Sequence, residues 1–263
     1  VQKIYREQDL WKVQTEGCTY EGAAVILANG SKASSVQGAD GSGYVLAREL
    51  GHHILKPLPA LTGLKVKGNF FSAWAGVRTE CKVTLWIDGT ETASETGEIQ
   101  LTDYGISGIP VFQISGMAAR ALEEKRKVSV TLNFFPEYTE KNIQELLTKR
   151  EKEYPELSRT ERLLGLLPDK LIKVILKQKD PYRAMTAFPL EIKETSGFEQ
   201  AQVCTGGVDT GEVDPETLES RLHKGLYFAG ELLDIDGPCG GYNLQWAWSS
   251  GAVAGIHAAK EIR

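Results

Sequence analysis

The chain opens on alternating apolar and polar positions. Residues 3–8 (KIYREQ) and 10–17 (LWKVQTEG) repeat their character every second residue, the period of a half-exposed hairpin. A third segment, EGAAVILAN, runs Ala23, Ala24, Val25, Ile26, Leu27 and Ala28 without a polar break. Such a run predicts a parallel-type core strand buried on both faces, ending at Gly30. A loop rich in Gly, Ser and Asp follows (NGSKASSVQGADGSG), then YVLARELGHH, with Val45, Leu46 and Leu50 at helical spacing. Gly51 reads as the helix stop, and Pro57 with Pro59 as the exit into another region.

From about residue 61 to 135 the period returns to two in LKVKG, CKVTLWIDG, ETGEIQLT and KVSVTLNFF, bounded by Gly and Asp turns. This predicts a mostly antiparallel β region. Within it SGMAARALEEKRK reads as a helix that collects Lys125, Arg126 and Lys127 in its last turn, where cations suit the helix dipole. Residues 139–180 are helical in pattern, in three pieces: TEKNIQELLTKREKEY, SRTERLLGLLP and DKLIKVILKQK. Ser158 and Glu161 have capping-box spacing, and Pro168 separates the last two pieces. Strand-like FPLEIKE, EQAQVCTGGV and GLYFAGE then lead through a Gly-rich turn into a final helix ending at Arg263. The order is α/β, then an inserted β region with a small helical part, then α/β again.

The densest local signal is GLYFAGELLDIDGPCGGYNLQWAWSSGAVAG, residues 225–255: a strand, a loop with Gly237, Gly240 and Gly241, and a long helix. Main-chain amides at a helix start lack intrahelical acceptors and attract an anion or a polarised carbonyl. Along the helix, Ala247, Gly251, Gly255 and Ala259 recur every fourth residue, a small stripe suited to close packing. A tight strand-to-helix connection is the plain alternative, although three glycines with Asp234, Asp236 and Asn243 exceed what a connection requires. ILANGSK (26–32) and CTGGVDTGEV (204–213) also put small residues just past an apolar strand, where open α/β sheets bind ligands.

Composition narrows the classes. With 263 residues, 41% hydrophobic and 25% charged, the chain can bury a large core. Its net charge of −5 gives no global positive field, so no nucleic-acid partner is expected. No apolar run spans a membrane, and none is expected as a partner. Cys18, Cys81, Cys204 and Cys239 lie far apart, which argues against a zinc site and for a reducing, cytoplasmic compartment. The four histidines, including His52 and His53, read as surface or loop groups, and no metal site is expected. There is no G-x-G-x-x-G, no P-loop and no G-x-S-x-G.

VILANGSKASSVQGADGSGYVLARELGH, AQVCTGGVDTGEVDPETLESR and GLYFAGELLDIDGPCGGYNLQWAWSSGAVAG together resemble the HI0933-like NAD(P)/FAD-dependent flavoproteins of the aminoacetone oxidase and BaiN type, across nearly the whole chain. The resemblance implies an FAD-dependent oxidoreductase that transfers hydride between flavin and a small organic substrate, with NAD(P)H as a candidate electron donor. It also implies a discontinuous Rossmann-like FAD-binding domain over residues 1–56 and 194–263. A β-rich substrate domain would occupy 57–138, a helical subdomain 139–183 and a return strand 184–193. The family's N-terminal glycine fingerprint has no counterpart here, so the chain reads as a piece of a longer protein. Similar proteins usually show A-T-G-G where this chain has Ala28, Asn29, Gly30 and Ser31.

Carried over by position, Ala28, Asn29 and Gly30 form the first turn. Thr205, Gly206 and Gly207 approach the isoalloxazine, and Gly230 and Glu231 lie beside the ribityl and pyrophosphate stretch. The Gly240, Gly241, Tyr242, Asn243 and Leu244 turn meets the ribityl chain and ring edge, and Asp236 and Gly237 of the same loop are counted among the cofactor-binding residues. A solvated strand-end acid is the alternative for Glu231. Tyr242 and Cys239 could donate a proton or contact substrate, with a packing Tyr and an inert small Cys as the alternatives. A helix start aimed at the ring would favour anionic reduced flavin by ~0.3–2 kcal/mol, up to roughly 40 mV for a two-electron couple. No catalytic acid or base is assigned. The competing class is a non-catalytic fragment or binding module without flavin.

Overall fold

The computed structural model describes residues 1–34 and 38–260. Residues 35–37 of the Gly- and Ser-rich loop, and 261–263, where the sequence pattern ends the final helix, lie outside these. The chain divides into two compact units, Val1–Ala60 with Phe198–Arg263, and Leu61–Gly197.

In the first unit, β1 (Lys3–Glu7) and β2 (Leu10–Gln14) form the expected antiparallel hairpin. Gln8 (φ 48°) and Asp9 (φ 65°) make its two-residue turn, both with the positive φ that matches strand twist. The segment read as one buried strand is in fact two. β3 (Thr19–Gly22) pairs antiparallel with β2, and β4 (Val25–Leu27) pairs parallel with β13 (Leu226–Phe228). Nor is β4 buried on both faces: Leu27 is enclosed, whereas Ile26 is 40% exposed. Among the described strands β13 is its one partner.

α1 (Ser42–Glu49) ends as expected, Gly51 at φ 88° donating its N–H to the Arg48 carbonyl. Its buried face is Tyr44, Leu46 and Ala47, while Val45 is exposed. Pro57 and Pro59 do not leave the domain; they lie within β5 (Ile54–Ala60), antiparallel to β12 (Val203–Val208). The ladder tolerates them because it has two strands and slips register between Thr205 and Gly207. α6 (Tyr242–Lys260) buries Asn243, Ser250, Ala254 and Ala258. The stripe read from sequence is rotated from this face, and Ala259 is exposed. Trp11, Phe228 and Leu226 centre the core of this unit.

His52 departs from the surface reading, at 2% exposure. Its Nδ1 lies 2.9 Å from the Glu212 carboxylate and its Nε2 2.9 Å from Ser220 Oγ. That oxygen also accepts the N–H groups of Leu222 (3.0 Å) and His223 (2.9 Å). Neutral His52 satisfies the set: Nδ1–H donates to Glu212, and Ser220 donates to Nε2. His53, by contrast, is exposed and faces Asp209.

In the second unit a closed antiparallel barrel runs in the order β10, β11, β6, β9, β8, β7. The strands are β6 (Leu64–Val66), β7 (Arg78–Ile87), β8 (Thr90–Leu101), β9 (Gly105–Ser107), β10 (Val128–Asn133) and β11 (Phe188–Thr195). Asp88 and Gly89 turn the long β7–β8 hairpin with φ of 52° and 80°. α2 (Ile109–Glu123) starts ahead of Ser115, with Pro110 in its first turn. It stops before Lys125, Arg126 and Lys127, so these do not sit in its last turn. Lys125 is left-handed (φ 59°), and Arg126 pairs with Asp88 at 2.7 Å.

α3 (Glu140–Glu153), α4 (Asp169–Ile175) and α5 (Pro181–Thr186) form the helical part. SRTERLLGLLP is not an α-helix. Its Ser158–Glu161 box closes at 2.8 and 3.3 Å, but only a 3₁₀ turn (Glu161–Leu163) follows, because Gly165 (φ 80°) and Pro168 stop propagation. Barrel and helices share one core, in which Phe188, Leu132, Ile143 and Ile172 are all buried.

Candidate functional site

Within the first unit the three small-residue turns meet. Ser31, buried just after β4, donates from Oγ to Glu231 Oε2 at 3.0 Å and accepts the Ala33 N–H at 3.2 Å. That bond ties the first turn to the third. Cys204 at the start of β12 packs with Ala33, Ala201 and Phe198, tying the second turn to the first. The Lys32 ammonium sits 5.0 Å over the Phe198 ring. Asp234 accepts the Gly206 N–H at 2.7 Å, and Val208 bridges Leu233 in parallel, tying the second turn to the third.

Partial burial perturbs the titratable groups at the junction. Burial pushes the Glu231 carboxyl above its ordinary value, opposed by the Ser31 hydroxyl. Burial also raises the Cys204 thiol and the Tyr44 phenol. The Tyr44 hydroxyl reaches the Glu231 carbonyl at 3.5 Å. A thiol held neutral in this way is a small packing group rather than a nucleophile. Glu231 is therefore not a freely solvated acid at a strand end.

The Gly-rich loop is closed from within. Asn243 accepts the Gly237 N–H (2.8 Å) and donates to the Gly237 carbonyl (2.9 Å). The side chain is thus engaged with the loop rather than with amides of the α6 start. Gln245 N–H bonds the Gly241 carbonyl at 3.0 Å, closing the first turn of α6. Tyr242 and Leu244 are 62% and 61% exposed. Gly230 is fixed from both sides, its N–H on Ser250 Oγ (2.8 Å) and its carbonyl on the Trp246 indole N–H (3.0 Å). The exit of β13 and the start of α6 are thereby held together.

The glycines divide into two kinds. At Gly206 (φ 95°) a Cβ would lie 2.4 Å from the Lys56 carbonyl oxygen, and at Gly207 (φ 152°) 2.6 Å from the Leu232 carbonyl oxygen. The chain's own backbone packing requires both. At Gly30 (φ 75°) and Gly241 (φ 94°) a Cβ would meet nothing within 4 Å, and at Gly240 only the Tyr242 ring, at 3.8 Å. Open space therefore stands over the first turn and the start of α6. Ala28, Asn29 and Asp236 are exposed, and Thr205 is buried. Asn29 packs against Gly43, where a Cβ would come within 2.7 Å of the Asn29 Cβ.

Sequence reading did not single out Tyr44, Trp246 or Ser250 for this junction, and it weighed Ser31 only as a departure from a motif. Ser250 carries the clearest overlooked signal, a small hydroxyl just ahead of the small and apolar residues 251–256. No group of three or more metal-binding side chains occurs among the described residues, and no described helix is long and apolar enough to cross a membrane. The site offers main-chain donors, a half-buried carboxyl and open space over two glycines. That set suits a polyhydroxylated or anionic ligand held mostly by backbone.

The chain matches the HI0933-like protein Rossmann domain over residues 1–257. It is 44% identical over 265 residues, 94% of its length, to the 3-dehydro-bile acid delta(4,6)-reductase of Clostridium scindens. It is 26% identical over 280 residues to the ribosomal RNA dihydrouridine synthase of Haemophilus influenzae, and 28% over 272 residues to that of Escherichia coli. These alignments take in 99% and 95% of the chain. The chain spans 65%, 67% and 64% of these relatives' own lengths, respectively.

Proposed function

The chain belongs to the HI0933-like Rossmann-domain family, and on that premise we propose that it carries the flavin-facing part of an FAD-dependent reductase. The substrate class is a carbon–carbon double bond conjugated to a carbonyl. What supports this class is chemistry common to the relatives' names. A delta(4,6)-reductase of a 3-dehydro bile acid and a dihydrouridine synthase both saturate an alkene that a carbonyl polarises. When bound, FAD supplies a two-electron carrier between NAD(P)H and the alkene, which gains a hydride at the carbon β to the carbonyl and a proton at the α carbon.

The observation that carries the cofactor reading is the convergence of the three turns through Ser31, Glu231 and Asp234. Ser31 holds the Glu231 carboxyl beside the first turn, where it can accept from ligand hydroxyls. Asn243 holds the loop shut around Gly237 and leaves the first amides of α6 to the ligand. Trp246 and Ser250 fix Gly230 against α6. The open faces of Gly30 and Gly241 admit a ligand to the main chain, while Gly206 and Gly207 shape the floor by packing.

The test is anaerobic incubation of the FAD-loaded protein with NADPH and either a 3-oxo-4-ene steroid acid or a uridine-containing oligonucleotide. The expected result is a steroid product heavier by two hydrogens, with bleaching and recovery of the flavin's visible band. Reduction of the oligonucleotide alone would move the substrate to RNA. Absence of flavin binding together with absence of turnover would remove the reading.

A further inference from the structure

We propose that a cleft in the second unit, between α3, the 158–163 segment and α5, is a binding site for a small apolar carboxylate. The cleft has a volume of about 150 Å³. Leu147 (8% exposed), Leu163 (3%) and Met185 (2%) form its floor, with the half-buried Leu176 beside them. One water needs ~10–15 Å³, so the cleft has room for a small organic molecule.

Polar groups on the wall set the sign of the head group. Arg162 is engaged by the protein at both terminal nitrogens, its Nη1 on Glu151 at 2.5 Å and its Nη2 on the Pro155 carbonyl at 3.2 Å, while its buried Nε has no partner among the described residues. Glu151 is thereby neutralised. Arg159 also lines the cleft and, among the described residues, has no hydrogen bond or ion pair within the chain. Tyr182 lines the same rim, 39% exposed, and its hydroxyl has no partner among the described residues either. The rim therefore offers one uncompensated cation and one phenol donor above an apolar floor. A guanidinium with a hydroxyl beside it complements a carboxylate, and the floor takes a hydrocarbon tail. A cationic head would be repelled by Arg159, and a neutral alcohol would leave it unpaired.

The chain has two methionines, Met117 and Met185, which supply the probe and its control. Met117 lies in α2, 39% exposed and outside the cleft, whereas Met185 is in its floor. Methyl-labelled methionine is followed by NMR while octanoate, octanol or octylammonium is titrated into the 263-residue chain. The Met185 signal should shift saturably with octanoate and Met117 should stay still. Octanol and octylammonium should bind at least about fivefold more weakly, and Arg159→Gln should weaken octanoate about fivefold. Arg159 is exposed, so that variant should keep the wild-type circular dichroism and melting profile. Leu176→Trp, which narrows the cleft from a half-buried position, should also weaken octanoate. Equal binding of the three probes, equal shifts of both methionines, unchanged affinity in Arg159→Gln, or no Met185 shift at millimolar octanoate would each overturn the proposal.

Discussion

Replacing Ser31 by Ala isolates the contact on which convergence of the turns depends. The hydroxyl has two functions: it donates to Glu231 at 3.0 Å and accepts the buried Ala33 N–H at 3.2 Å. A hydrogen bond to a charged group contributes about 1.5–3 kcal/mol, and a buried donor left without acceptor costs about 1–3 kcal/mol. Glu231 is only partly buried, and water can replace the first bond in part. The expected loss is therefore about 2–3 kcal/mol in urea unfolding rather than the sum of the upper limits.

The loss should also depend on pH. Burial raises the Glu231 carboxyl above its ordinary value of 4.5, and Ser31 pulls it back. A raised carboxyl binds its proton more tightly when folded. Its contribution is complete below the ordinary value and declines as pH rises toward the folded value. Without Ser31 the folded value rises further, so the decline runs deeper. Ser31→Ala should cost more stability near neutral pH than at about pH 4, where the carboxyl is largely protonated in both states. A loss below about 0.5 kcal/mol, or one that is the same at both pH values, would refute the reasoning. A double-mutant cycle with Glu231→Gln should recover most of the pH-dependent part as coupling energy.

Further outcomes follow from other sites in the first unit. Gly206→Ala, at φ 95° and 2.4 Å from the Lys56 carbonyl oxygen, should cost at least about 3 kcal/mol in chemical denaturation through left-handed strain and overpacking. Gly30→Ala has open space and should cost about 1–2 kcal/mol from strain alone; equal losses would contradict the division between the two kinds of glycine. Burial holds the His52 imidazole below its ordinary value of 6.5, against the pull of Glu212. Its contribution is therefore complete above that value and is lost as pH falls from it toward the lower folded value, so the urea midpoint should drop on acidification. In His52→Phe that slope should flatten, and an unchanged slope would assign it to other groups. Asn243→Ala removes both bonds to Gly237 and should weaken FAD binding about tenfold, a change of about 1.4 kcal/mol by fluorescence titration.

Local signals that depend on near neighbours were legible in the sequence. The first hairpin, the Gly51 stop and the Ser158–Glu161 box follow from turn and cap chemistry within a few residues, and each is present. Signals that depend on distant partners were not. Ile26 lies in an apolar run that reads as doubly buried, yet only one edge of β4 has a strand beside it. The small stripe on α6 fits a four-residue interval, whereas packing selected the face of Ser250, Ala254 and Ala258. Pro57 and Pro59 look like a linker until the two-stranded ladder with its register slip accounts for them.

The site divides along the same line. Glycine-rich turns after apolar strands mark positions 28–30, 204–207 and 230–241 as special by composition alone. The groups that bring them together act over long sequence separations: Ser31 to Glu231, Gly206 to Asp234, Gly230 to Ser250 and Trp246. No local window contains both ends of the longest of these bonds. Open Gly241 (φ 94°) and packed Gly206 (φ 95°) likewise share a backbone angle, and only the neighbouring atoms separate them.

Hydrogen exchange of the protein with and without saturating FAD tests the central claim most directly, because it reads the main-chain amides to which the cofactor reading assigns the ligand. Slowed exchange at residues 28–33 and 237–245 together, with the second unit's barrel strands unchanged, is the predicted result. Binding of FAD with protection confined to other segments, or exchange unaltered at millimolar FAD, would contradict it.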